Sequence, residues 1–239
     1  MKKLILILAA AMLLVGCKCK KEQGLILSDS KISMHYDEQK QLTVSFLDEE
    51  MQYSFKSSNE NVVKVDNSGT VRGVSIGTAT ITATSSDGKY TAECKVIIAP
   101  YYALYYDLCL EFNCSKQKVK DFETRELKKE TETALVYNGE FVYIWQVGYI
   151  FENGLNGSVI FIENYLSEEL VTFLNERYES LGMDEKYIYY RTYDEKALIA
   201  LGVSDNFKYL VMYMEFPEEK VLKNNDFKQL FNKLNNKMQ

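Results

Sequence analysis

The chain has 239 residues, a formal net charge of -6 and a pI near 5.1. That balance argues against nucleic acid, because no basic stripe is present to release phosphate counterions, and it disfavours docking on an anionic membrane surface. The length suits two domains of about 100–150 residues each.

Lys2 and Lys3 followed by the apolar run from Leu4 to Val15 predict a targeting segment over residues 1–17. Roughly 12 apolar residues are too few for a permanent membrane span, which needs about 20. Leu14-Val15-Gly16-Cys17 resembles the lipobox of bacterial lipoproteins. The resemblance implies cleavage before Cys17 and lipid attachment on it, which would hold the mature protein at a membrane through an N-terminal lipid anchor. Residues 18–24 then form a short polar tether. Lys18 is not the aspartate that marks inner-membrane retention in that family, so the expected destination is the outer membrane, at the cell surface or on the periplasmic face. An ordinary secretory signal with an incidental cysteine is the alternative.

Lipidation would leave Cys19, Cys94, Cys109 and Cys114 in a compartment that permits disulfides. Cys109 and Cys114 can pair if the chain turns between them; separate buried thiols are the other reading. His35, the one histidine, has no second ligand near it in sequence, so no metal site is expected.

Residues 25–99 read as short strands broken by glycine turns. Leu25–Leu27, Leu42–Phe46, Tyr53–Phe55, Val62–Val65, Thr78–Thr84 and Tyr90–Ile97 are the apolar or alternating runs, and Asp66-Asn67-Ser68-Gly69 and Ser86-Asp87-Gly88 are the turns. Roughly six or seven strands of this length favour a small antiparallel sandwich. Ser57-Ser58-Asn59, Val62 with Val65-Asp66, Gly69-x-Val71-x-Gly73 and Gly77-Thr78-Ala79-Thr80-Ile81 closely resemble the bacterial immunoglobulin-like domain, group 2, of intimin- and invasin-type adhesins. The resemblance implies an all-β immunoglobulin-like sandwich that serves as a stalk or adhesion module and has no catalytic set. Phe55 stands where many members carry tryptophan and is expected to fill the same core slot.

Pro100 closes that segment, and residues 101–239 are richer in tyrosine and charge. Ser115 is a candidate cap for a short helix carrying Val119 and Phe122. Ser167 is the candidate cap of a longer one whose apolar face is Leu170, Val171, Phe173, Leu174, Tyr178 and Leu181. Three strand-like runs follow each helix: Thr133–Tyr137, Val142–Glu152 and Ser158–Glu163, then Tyr187–Tyr193, Ala197–Val203 and Tyr209–Phe216. Residues 115–163 and 167–216 therefore read as a tandem α-β-β-β repeat. The expected architecture is an α+β domain with an antiparallel sheet and helices on one face. Its element order is similar to the tandem helix-and-sheet domains of the β-lactamase-inhibitor-protein type. An amphipathic stretch over Asn225–Asn235, with Phe227, Leu230, Phe231 and Leu234, is expected to pack back onto the domain.

Strand alternation suggests a binding face. With Leu210, Met212, Met214 and Phe216 turned to the helices, Tyr209 and Tyr213 would face outward. Tyr187, Tyr189, Arg191 and Tyr193 would form a second row, and Tyr143, Trp145 and Tyr149 a third. Tyrosine, tryptophan and arginine suit recognition of a protein or glycan ligand. Acids such as Glu111, Glu163 and Glu215 are the candidates for a glycoside hydrolase, but no nucleophile elbow, phosphate loop or histidine partner for Ser or Cys accompanies them. The expected function is thus non-enzymatic and without a cofactor: an envelope lipoprotein for adhesion or ligand binding, or alternatively a periplasmic assembly or inhibitory lipoprotein with a protein client.

Overall fold

The computed structural model describes residues 24–46, 51–163, 167–203 and 208–216. Its N-terminal part is built from β1 (Ile26–Leu27), β2 (Lys31–Met34), β3 (Gln39–Gln41), β4 (Val44–Ser45), β5 (Tyr53–Ser57), β6 (Val63–Val65), β7 (Thr70–Gly73), β8 (Gly77–Ser85) and β9 (Thr91–Ile98). One sheet runs β2-β9-β8-β5 and the other β3-β7-β6, with β1 and β4 as a separate pair. Along β8, Ala79, Ile81, Ala83 and Ser85 point inward while the residues between them are more exposed, the period of two that a half-buried strand requires. Ile32, Val63, Val71, Ile81 and Val96 meet in the core between the sheets. Burying each stabilises the fold by roughly 1.5–3 kcal/mol relative to leaving it exposed.

Three strands lie outside the apolar and alternating runs of the sequence: β2, β3 and β7, the last falling within the Gly69-x-Val71-x-Gly73 motif. β2 alternates correctly but is only four residues long, and it pairs with β9 in parallel, unlike the antiparallel ladders around it. β3 is Gln-Lys-Gln, exposed throughout, and is placed only by its ladder with β7.

The turn from Asp66 to Thr70 sets the register of β6 against β7. The Asp66 carboxylate accepts from the Ser68 and Thr70 N–H groups, each at 2.9 Å, and from the Ser68 hydroxyl at 2.6 Å. Gly69 adopts φ +85°, and a Cβ there would lie 2.2 Å from the Leu42 carbonyl oxygen and 2.9 Å from the Phe55 ring. Phe55 is half-buried against the core and against this turn.

The second part comprises α1 (Lys116–Phe122), β10 (Leu127–Glu130), β11 (Ala134–Asn138), β12 (Ile144–Phe151) and β13 (Leu155–Ile162). It continues with α2 (Ser167–Asn175), β14 (Glu179–Met183), β15 (Tyr187–Arg191), β16 (Ala197–Val203) and β17 (Tyr209–Glu215). Ser115 caps α1, its hydroxyl accepting from the Lys118 N–H at 3.3 Å. α2 ends at Asn175, so Tyr178 and Leu181 lie beyond it, Leu181 exposed on β14.

All eight strands form one antiparallel sheet in the order β10-β11-β12-β13-β17-β16-β15-β14. The order is symmetric about the β13–β17 ladder, and each helix-plus-meander unit carries one strand more than the sequence suggested, β10 or β14 at the outer edge. Both edge strands lack apolar periodicity: β10 is Leu-Lys-Lys-Glu, exposed throughout, a charged edge of the kind that resists further pairing. Val119, Leu170, Phe173 and Leu174 seat both helices on one face, against Tyr149, Ile160, Ile199 and Tyr213. Among the described residues no helix is long and apolar enough to cross a membrane. The 225–235 stretch, Cys17 and Cys19 lie outside the described residues.

Cys94, Cys109 and Cys114 are free thiols, so the possible Cys109–Cys114 disulfide is not formed. Burial pushes the Cys114 thiol up to about 11, and the Cys109 thiol beside it acts in the same direction.

Gly69→Ala is expected to destabilise the protein by roughly 1–3 kcal/mol through the left-handed turn, read as a lower denaturant midpoint; an unchanged midpoint would remove the turn from the account. The buried tyrosines make a second prediction. Burial raises the Tyr105 and Tyr213 hydroxyls well above their usual value and Tyr137 to about 12. An unfolded tyrosine releases its proton near pH 10, whereas these hold theirs, so stability present below about pH 10 is lost as pH rises further. Tyrosinate absorbance should appear together with loss of folded circular dichroism; independent titration of the two signals would contradict this.

A candidate site at the junction of the two domains

The proposed tyrosine face does not exist as one surface. Tyr149 and Tyr213 are 0% and 1% exposed and pack beneath the helices, with Tyr143 and Tyr209 half-buried on the same side. Leu210, Met212 and Met214 occupy the opposite face, the reverse of the expected facing, together with Tyr187 and Tyr189. Trp145 lies 6.1 Å from Phe161 of that opposite face, edge to ring, so the row of Tyr143, Trp145 and Tyr149 is split across the sheet. Arg191 is engaged by Glu179 at 2.9 Å and Glu195 at 2.5 Å. Tyr193, past the end of β15, lines a cleft against the sandwich, and Tyr187 and Tyr209 line a separate one of about 270 Å³ beside α2.

Three of the buried tyrosine hydroxyls have structural partners, whereas that of Tyr137 has none among the described residues. Tyr105 and Tyr213 share a hydrogen bond of 2.7 Å. Tyr149 donates to Glu123 and accepts from the Cys109 N–H at 3.2 Å.

The acids do not assemble for hydrolysis. Glu163 follows β13 and Glu215 ends β17, and the antiparallel ladder Gly157–Met214 to Ile162–Tyr209 sets them at opposite ends, about 20 Å apart at the usual strand rise. That exceeds the roughly 5–10 Å that paired glycosidase carboxylates require. Glu111 pairs with Lys118 at 3.3 Å. Glu123 and Glu140 are both held by the buried Arg125, at 2.6 and 2.8 Å. Burial works against ionisation of Glu140, but the Arg125 guanidinium and the Tyr106 N–H outweigh it and hold this carboxyl below its usual range. It therefore stays charged at neutral pH rather than serving as a proton donor. Among the described residues no group of His, Cys, Asp and Glu could hold a metal.

What the fold does assemble is a joint between sandwich and sheet. Glu176, the residue after α2, has a fully buried side chain. Its carboxylate accepts from the Tyr101 N–H at 2.7 Å and pairs with Arg177, while its carbonyl accepts from the Ile76 N–H at 2.7 Å. One residue thus ties the sandwich loop before β8, the interdomain linker and the helix. Arg177 donates to the carbonyls of Tyr102 and Phe173, both at 3.1 Å, and lies over the Phe173 ring at 3.6 Å. Tyr101 stacks on His35 with ring centres 3.9 Å apart and donates its hydroxyl to Asp37 at 3.0 Å. His35 therefore serves the joint.

Beside the joint lies a cleft of about 360 Å³. The sandwich contributes Tyr36, Lys64 and Arg72; the second domain contributes Asn175, Ser180 and Tyr193. β7 can approach the Tyr36 turn because residue 73 is glycine: a Cβ would lie 2.3 Å from the His35 carbonyl oxygen. The Tyr193 hydroxyl reaches the Val74 carbonyl at 3.5 Å. Burial, and then the Asp37 carboxylate, raises the Tyr36 hydroxyl above its usual value although Asn175 beside it acts in the other direction, so it remains a donor. No motif marks this cleft, since its residues come from five separate segments.

Glu176→Ala is expected to lower stability by roughly 3–5 kcal/mol, as loss of one partner of a buried pair does. It should also separate the unfolding of the two domains in calorimetry. A single transition at the original temperature would show that another contact holds the joint.

A search of curated proteins gives no match to the chain. Among solved structures the chain is similar to surface-layer protein SbsC, domains 4–9, at 12% identity and TM-score 0.29, covering 84% of this chain and 28% of that one. It is similar also to domains 5–6 of the S-layer protein SbsC, at 13% identity and TM-score 0.29, covering 84% of this chain and 87% of that one. The chain thus spans under a third of the first of these proteins, and likenesses at this score carry no argument. Residues 23–96 match the family of bacterial Ig-like domains (group 2), and the sandwich of β1–β9 is therefore a domain of that family.

Proposed function

We propose that this chain is a non-enzymatic, lipid-anchored protein of the outer membrane and cell surface, for adhesion or ligand binding, whose ligand seats in the interdomain cleft. The observation that carries this reading is the joint at Glu176, which couples an adhesion-type module to a second domain and leaves a formed cleft beside it. At about 360 Å³ the cleft falls within the roughly 300–1,000 Å³ of small-ligand sites. The anchor and location rest on Leu14-Val15-Gly16-Cys17 and on Lys18. The arrangement of the acids supports a binding role over hydrolysis. In this reading the sandwich is more than a stalk, since it supplies half of the binding wall.

Treatment of intact producing cells with a non-penetrating protease should remove the second domain, followed by antibody, as completely as treatment of lysed cells does. Protection on intact cells with digestion after lysis would overturn surface exposure and favour a periplasmic protein client.

A further inference from the structure

Building on the cleft as the ligand site, we infer that its ligand is an anionic sugar, held by its carboxylate between Lys64 and Arg72. These two residues are direct partners in the β6–β7 ladder, and both are exposed. Like charges directly opposite in a sheet destabilise it, and folding gives neither cation a compensating acid: among the described residues neither makes an ion pair. Of the two carboxylates on the cleft wall, Glu179 is paired with Arg191 at 2.9 Å, and Asp37 accepts from the neutral Tyr101 hydroxyl at 3.0 Å. Lys64 and Arg72 are therefore two adjacent cations on one wall of the cleft with no ion pair of their own among the described residues, in a chain whose overall charge is -6.

The rest of the wall suits a carbohydrate rather than a bare anion. Tyr36 and Tyr193 bring half-buried rings from opposite domains, apolar faces of the kind that pack on sugar rings, and Asn175 and Ser180 bring hydroxyl-matching polar groups. An arginine fork receives a planar carboxylate with two parallel hydrogen bonds, and the adjacent lysine adds a point charge. Neutral sugars would leave the two cations facing each other without a partner.

The test uses the full-length protein in nonionic detergent and a fluorescent tetrasaccharide of alternating glucuronate and N-acetylglucosamine, with its carboxyl-reduced form as the neutral control. Saturable binding should weaken about tenfold or more in Arg72→Gln and in Lys64→Gln. It should fall with added salt and be lost on carboxyl reduction. Both variants should unfold at or above the original midpoint, because each relieves the repulsion across the ladder. Equal binding of the reduced and native sugar, or full affinity in both variants, would overturn the anionic assignment. Ser180→Trp, which fills the cleft from an exposed position, tests the cleft separately on a panel of neutral, uronate-bearing and sulfated glycans. A neutral glycan bound by the native protein and lost in Ser180→Trp would overturn the charge inference and leave the cleft standing. Undiminished panel binding in Ser180→Trp would overturn the cleft itself, and no binding to any panel member would overturn the sugar assignment.

Discussion

The buried carboxylate of Glu176 is the constraint on which the arrangement of the molecule depends. A carboxylate removed from water must find charge or hydrogen-bond donors, or its burial is prohibitive. Here the donors come from the linker at Tyr101 and from Arg177, while the same residue's carbonyl takes the Ile76 N–H of the sandwich. Satisfying one buried charge thus fixes three segments at once. The stacked pair of His35 and Tyr101 and the Tyr101–Asp37 hydrogen bond extend the joint toward the sandwich turn. The cleft is a consequence: it is the space between the two domains beside that fixed point.

The two domains reach stability by different routes. The sandwich relies on aliphatic side chains between two small sheets and on one strained turn in which Asp66 supplies the hydrogen bonds and Gly69 the backbone. The second domain relies on aromatic volume, with Phe173 of α2 packed among Tyr105 and Tyr213. Several of its tyrosines carry hydroxyls inward, where Tyr149 finds the Glu123 carboxylate and Tyr105 and Tyr213 find each other. That chemistry explains why tyrosines such as Tyr149 and Tyr213 are buried in the second domain rather than arrayed on one exposed face.

Facing could not be read along β17. Strand alternation identifies a buried face only when the other face is wet. From Leu210 to Met214 every residue is buried, so the rows Leu210-Met212-Met214 and Val211-Tyr213 were equally eligible to meet the helices. The helices took the row that aligns with Tyr149 and Ile160. Along β12 the register shifts between Ile144 and Gln146, which places Trp145 out of step with Tyr149 and splits that row. A shift of this kind leaves no periodic trace in sequence.

The sequence by itself determined the sandwich, because turn residues at Asp66–Gly69 and alternating runs such as Thr78–Thr84 are local signals with local causes. It also determined the order of helices and strands in the second domain, from the cap at Ser115 and the apolar face of Leu170, Phe173 and Leu174. Only the tertiary structure decided that β10 and β14 exist, since edge strands without apolar periodicity are specified by their partners rather than by their own residues. It alone decided the cleft as well: Tyr36, Lys64, Arg72, Asn175 and Tyr193 are brought together by sheet register and by the joint at Glu176. Neither of those constraints acts between neighbours in the chain.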